Sequence, residues 1–128
     1  MDEFKIKLEH CLSIESFDFR PTQEKLSVPL IYRIYKKMNA GLSNFDAIKI
    51  ADNLIIDGHH RYIASKMAGS QIQIFPSTKN HNQTIFEWKE IKLKMTEYDS
   101  ETEIKYHNFN DAKKNGISIE FIEKILNN

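Results

Sequence analysis

Residues 54–69 read Leu-Ile-Ile-Asp-Gly-His-His-Arg-Tyr-Ile-Ala-Ser-Lys-Met-Ala-Gly, and no other run constrains the fold as much. Leu54, Ile55 and Ile56 are a short apolar run suited to a buried strand, and Asp57-Gly58 ends it. From His59 the spacing turns helical. Ile63 and Met67 lie four apart, as do Ala64 and Ala68, and Gly69 stands where a helix closes. A strand that turns at once into a helix leaves the first helical N–H groups without internal partners, in a field of partial positive charge. Gly58 lacks a Cβ, so a ligand can approach the backbone closely. Such an end suits a phosphate.

The side chains around this turn carry the chemistry. Arg61 offers a planar fork that matches phosphate oxygens. His59 and His60 titrate near neutral pH and can act as general base or acid. Asp57 can orient an imidazole or hold a metal ion, and Tyr62 brings a ring and a hydroxyl. The expectation is a site with His59, His60 and Asp57 in catalytic roles and Gly58, Arg61 and Tyr62 binding phosphate.

The flanking chain reads as alternating elements. Phe4, Ile6 and Leu8 alternate with Lys5 and Lys7, which predicts a half-buried strand over 4–8, and residues 11–19 predict a second extended piece ended by Arg20-Pro21. Ser27 reads as the N-cap of a helix over about 28–39, with Pro29 in its first turn, Leu30, Ile34 and Met38 on one face, and Gly41 at its left-handed end. Ala47–Ile50 and Leu54–Asp57 around Ala51-Asp52-Asn53 predict a β-hairpin. Gln71–Phe75 predicts a strand stopped by Pro76. Ile91, Leu93 and Met95 favour a strand with a break near Lys89-Glu90, and a short helix through Trp88 competes with it. Asn108–Asn115 predicts a short helix ended by Gly116, and Ser118 caps a last helix with Phe121, Ile122, Ile125 and Leu126 on its inner side.

With 128 residues, 41% of them apolar and 28% charged, one core is expected and two are not. The expected fold class is α+β. Eighteen basic and eighteen acidic residues leave a formal net charge of zero, so whole-molecule attraction to nucleic acid is excluded while a local basic site is not. The single cysteine, Cys11, makes no internal disulfide and no multi-cysteine zinc site, and reads as a small buried residue. No stretch approaches the roughly 20 apolar residues of a membrane span, and the polar start is unlike a signal peptide, so a cytoplasmic protein without membrane contact is expected. His10, His81 and His107 read as surface or packing residues, with His81 in a loop able to fold back toward the turn. Trp88 and Phe86 read as core rather than a base-stacking surface, and Lys92, Lys94, Lys113 and Lys114 as solvated positions.

Residues Leu54–Ala64 together with Lys66–Gly69 resemble the signature of the ParB/sulfiredoxin superfamily, and the resemblance covers about residues 12–76. It implies a mixed sheet with flanking helices over 12–76, followed by a strand-plus-helices extension over 77–128. Gly58, Arg61, Tyr62 and Ala64 match the ParB turn that binds a nucleoside triphosphate, while His59 and His60 replace its acidic residue and first arginine. Gly58, His60 and Arg61 match the sulfiredoxin turn, but His59 replaces the catalytic cysteine, which argues against a thiol reaction. The extension is too short and too little basic for the DNA-binding part of ParB proteins. The implied ligands are a nucleotide (ATP or CTP) with Mg²⁺, or a nucleic-acid backbone. The Asp-Gly-His-His-Arg-Tyr form resembles domains at the C-termini of bacterial toxins. Three functions follow as expectations: a phosphoester-cleaving or phosphotransfer enzyme such as a toxin nuclease with a cognate immunity or antitoxin protein, a nucleotide-sensing switch without turnover, and an antitoxin or immunity protein that keeps the fold without chemistry.

Overall fold

Helical periodicity overrides alternation at the start of the chain. The computed structural model describes residues 1–79 and 82–128. In it Asp2–Ile14 form helix α1, where a strand over 4–8 and an extended piece from residue 11 were expected. Phe4, Leu8, Cys11 and Leu12 are buried at helical spacing, whereas Ile6, which would share the strand face, is 66% exposed. The 2.0 and 3.6 periods coincide at Phe4 and Leu8, and burial of Cys11 and Leu12 decides between them. Cys11 is buried as expected, and that burial pushes its thiol pKa up.

Two small sheets follow. Lys25–Ser27 form β1, which runs straight into α2, Val28–Asn39. The Ser27 hydroxyl caps α2 by accepting the Leu30 N–H, and Gly41 beyond the helix takes φ +103°, as the sequence anticipates. Ile48–Ala51 (β2) and Leu54–Asp57 (β3) form the expected hairpin, its turn residues Asp52 and Asn53 both at positive φ. The register shifts between Lys49 and Ile50, so Ile56 is an extra residue and Asp57 pairs with Lys49. His59–Ala68 form α3, bounded by left-handed Gly58 and Gly69.

Ile74–Pro76 form β4, parallel to β2 at the edge of a mixed sheet ordered β3-β2-β4. This strand is shorter than Gln71–Phe75 suggested and includes Pro76, which an edge strand tolerates because one side of its backbone goes unpaired. Both readings around Trp88 hold in part: Trp88–Glu90 make a 3-10 turn, and Lys92–Lys94 form β5, parallel to β1 in the second sheet. Glu101–Asn115 form α4, nearly twice the length of the expected Asn108–Asn115, because the Ser100/Glu103 capping box starts it seven residues earlier. Ile119–Leu126 form α5 behind the Ser118 cap, with Ile122 buried but Phe121 47% exposed rather than inward. His81 lies outside the described residues.

The result is one α+β domain with, among the described residues, five α-helices and two small sheets. Its main core draws Phe4 and Leu8 from α1, Val28 and Ile31 from α2, Ile48 and Ile55 from the hairpin, Ile63 from α3, and Trp88 and Ile91 from the later chain. Residues on both sides of 12–76 therefore share this core. A smaller cluster of Leu42, Ala112 and Ile122 holds α4 and α5. The Trp88 indole N–H donates to the Phe19 carbonyl at 2.8 Å, so the ring is core, and Lys92, Lys94, Lys113 and Lys114 are exposed. No helix among the described residues is long and apolar enough to cross a membrane.

The two readings of the N-terminus separate cleanly in stability. Leu8→Ala is expected to cost about 2–5 kcal/mol by leaving a cavity, and Ile6→Ala to stay within about 0.5 kcal/mol. Urea unfolding of both variants checks this, and a strand would make the two losses comparable.

Candidate functional site

The turn after β3 is sterically defined. Gly58 has φ +99°, and a Cβ there would stand 2.6 Å from Ile48 Cγ2 and 2.9 Å from Arg61 Nη2. No side chain other than hydrogen fits. Gly58 also offers no side-chain cap, so the amides that open α3 are left without one.

His59 and His60 point in different directions from adjacent positions. Arg20 pairs with Leu54 in an isolated parallel bridge on the far side of β3, which carries Thr22 over the start of α3. The Thr22 N–H donates to His59 Nε2 at 2.9 Å, and its hydroxyl donates to the Ile55 carbonyl at 2.6 Å. The Ser27 N–H donates to His60 Nε2 at 3.0 Å. An Nε2 that accepts is unprotonated, so in the neutral ring Nδ1 carries the hydrogen. Burial pushes both imidazoles down to about 4; the Asp57 charge opposes this weakly at His59, and the His59, Arg61 and Arg33 charges add to it at His60. Both rings are neutral donors through Nδ1 at neutral pH.

Arg61 lies one turn beyond Asp57. Its Nη2 donates to the Ala47 carbonyl at 3.3 Å and sits 3.7 Å from Asp57 Oδ2, while Nε is buried without a partner. The Asp57 carboxylate is 63% exposed. Tyr62 departs from expectation. Its ring is in the core against Phe17, Phe19 and Trp88, and its hydroxyl is buried near the backbone of Asp18 and Phe19. Tyr62 shares the inner face of α3 with His59, and both rings lie against Trp88; one turn further along the helix, Tyr62 is enclosed by the core and does not line the pocket beside the turn.

Asp57, Gly58, His59, His60 and Arg61 line one pocket of about 160 Å³. Its other wall was not legible from the motif. Arg33 and Lys37 of α2 face it, and Asp99, His107 and Asp111 come from the chain's last third. Lys37 Nζ bonds Asp111 Oδ2 at 2.7 Å with only 3% of its side chain exposed, and burial pulls its pKa down. Arg33 pairs with Glu97 and with Asp99 at 3.1 Å, and burial likewise lowers its pKa. His107, expected as a surface or packing residue, is half-exposed 3.8 Å from Asp99, and His10 is exposed. The available signal was two basic residues four apart beside the apolar stripe of α2. Their acidic partners could not be placed without the full length of α4.

Among the described residues no three of His, Cys, Asp and Glu converge to hold a metal ion. In comparisons with protein-family models, curated proteins and solved structures, nothing matches this chain.

Two outcomes test this geometry. Gly58→Ala should cost about 2–4 kcal/mol, from the left-handed backbone and the clash with Ile48, measured by denaturant unfolding. The histidines make stability fall with acid. Above 6.5 both folded and unfolded imidazoles are neutral; as pH falls from 6.5 toward 4 the unfolded chain takes up protons that the folded chain refuses. Each ring should account for on the order of 2–3 kcal/mol over that interval, levelling off below about 4. His59→Gln or His60→Gln should flatten the curve by one such step in urea midpoints taken across pH.

Proposed function

We propose that this chain is a domain of the ParB/sulfiredoxin type that binds the phosphate of a nucleotide or nucleic acid at the start of α3 and acts on a phosphoester there. One observation carries the reading: Arg61, the uncapped amides after Gly58 and two neutral histidine donors gather on the wall of a single pocket. Amides at a helix start and a guanidinium are donors suited to phosphoryl oxygens and to the charge that grows on them in the transition state. Neutral imidazoles add Nδ1–H donors without requiring protonation.

The proton-transfer part of the reading moves with this geometry. A histidine with pKa about 4 is a weak base at neutral pH. His59 and His60 then serve chiefly to hold the ligand and the backbone, and the exposed Asp57 carboxylate at the turn is placed to accept a proton or to share Mg²⁺ with the phosphate. Mg²⁺, when bound, would neutralise charge on the phosphoryl oxygens. A toxin nuclease with a cognate immunity protein is the specific form suggested by the resemblance of Asp57–Tyr62.

The second reading is a nucleotide-sensing switch without turnover, and the commitment of both Nε2 atoms to backbone amides favours it. The two readings share the binding step and differ in product. ATP, CTP and a short oligonucleotide, each with and without Mg²⁺, should bind the wild type, and Arg61→Ala should weaken binding at least tenfold, the scale of one lost charge-assisted contact. Calorimetry measures the affinity, chromatography the product, and circular dichroism the retained fold. Equal affinity in wild type and Arg61→Ala rules out the site. Binding without product selects the switch.

A further inference from the structure

Arg61 borders a second depression on the other side of the turn, and its floor is the outer face of the β3-β2-β4 sheet. The register sets Phe75 of β4 beside Lys49 of β2, and Lys49 beside Asp57 of β3. Cross-strand partners project from the same face, so an aromatic ring, an ammonium and a carboxylate form one row that ends at the phosphate-binding turn. The bulge at Ile56 makes this alignment, since without the extra residue Asp57 would not oppose Lys49. Phe75 is 62% exposed and Lys49 and Asp57 beside it are exposed as well, whereas Ile48 on the opposite face is fully buried. No carboxylate among the described residues forms an ion pair with Lys49, and Asp46 at the rim is already paired with Lys114 at 3.1 Å. Together Asp46, Ala47, Lys49, Asp57, Arg61 and Phe75 line an open depression of about 440 Å³.

We propose that Phe75 is a stacking platform for a nucleobase whose phosphate is held by Arg61 and the start of α3, so that the ligand is a nucleoside phosphate rather than a bare phosphate or a sugar phosphate. The inference rests on the phosphate site described above and adds the side chain that recognises the base. An exposed ring beside a lysine and an arginine is an arrangement by which proteins hold unpaired bases, because every nucleotide has a base face to stack and a phosphate to neutralise. Lys49 lies between ring and turn, where it would meet the sugar-phosphate linkage. The open end of the depression beyond Phe75 admits either a free nucleotide or one residue of a single strand.

The test is calorimetric titration of the full chain with inorganic phosphate, ribose 5-phosphate, AMP, CMP and a single-stranded tetranucleotide, on wild type, Phe75→Ala, Phe75→Trp and Arg61→Ala. The wild type should bind AMP about tenfold to a hundredfold more tightly than ribose 5-phosphate, the ratio expected from one stacked base. Phe75→Ala should abolish that ratio, with the loss falling on AMP, and Phe75→Trp should restore it and report the stacked base through quenched tryptophan fluorescence. A tetranucleotide that binds more tightly than AMP assigns the site to single strands; equal affinity assigns it to free nucleotides. A ratio that persists in Phe75→Ala overturns the stacking proposal while leaving the phosphate site intact. Failure of all the phosphates to bind, or their indifference to Arg61→Ala, overturns both.

Discussion

The amides of Thr22 and Ser27 donate to imidazoles rather than to other backbone, and much of the domain is arranged around those two bonds. Thr22 follows the segment that extends the three-stranded sheet beyond β3, and Ser27 ends the strand of the other sheet and begins α2. His59 and His60 are consecutive, so a single helix start pins both parts at once. Ser27 is completely buried and also donates its hydroxyl to the Thr96 carbonyl, which draws in the chain that leads to α4. A buried amide without an acceptor costs about 1–3 kcal/mol, so each ring satisfies a demand that the fold itself creates. Protonating Nε2 would set two donors against each other inside the protein. Burial lowers the pKa of both rings, and the same buried positions set them against the amides they accept.

The same economy governs the pocket's charges. Arg33 and Lys37 lie in its wall, but Glu97, Asp99 and Asp111 already engage them. Leaving either cation buried and unpaired would be strongly destabilising, which makes these pairs part of the scaffold joining α2 to α4 and to the segment just before it. Arg61 is the least committed of the three, with its nearest carboxylate at 3.7 Å and its Nε unpaired. A chain of zero net charge can in this way present one local anion site without a basic surface. An extended polyanion would call for several uncommitted cations, so the proposed phosphate site is one for a single phosphoryl group.

Local signals were legible wherever they were redundant. The Ser27 cap, Pro29 and Gly41 agree about α2; positive-φ residues mark both the hairpin turn and the ends of α3; and the motif itself places Asp57, Gly58, His59, His60 and Arg61 on one pocket. Local patterns mislead where two periods coincide or where a cap sits inside a polar stretch. Phe4 and Leu8 satisfy strand and helix alike, and Ser100 with Glu103 was a helix start hidden in a polar stretch. Tyr62 was misplaced because adjacency in sequence is not adjacency in space on a helix: four residues after Gly58 the side chain turns to the core.

The sequence by itself determined that a strand passes through a left-handed glycine into a helix with Arg61 and two histidines at its start, since Gly58, the apolar run before it and the helical spacing after it act over a few residues. Only the tertiary structure decided what those histidines do. Their acceptor role depends on Thr22 and Ser27, 37 and 33 residues away, and their neutrality depends on burial, which no local pattern encodes. The second wall of the pocket, from Arg33 to Asp111, and the row that brings Phe75 to Asp57 likewise exist only through long-range pairing and one bulge. Covalent neighbours set where the turn is; packing sets its protonation, its partners and its reach.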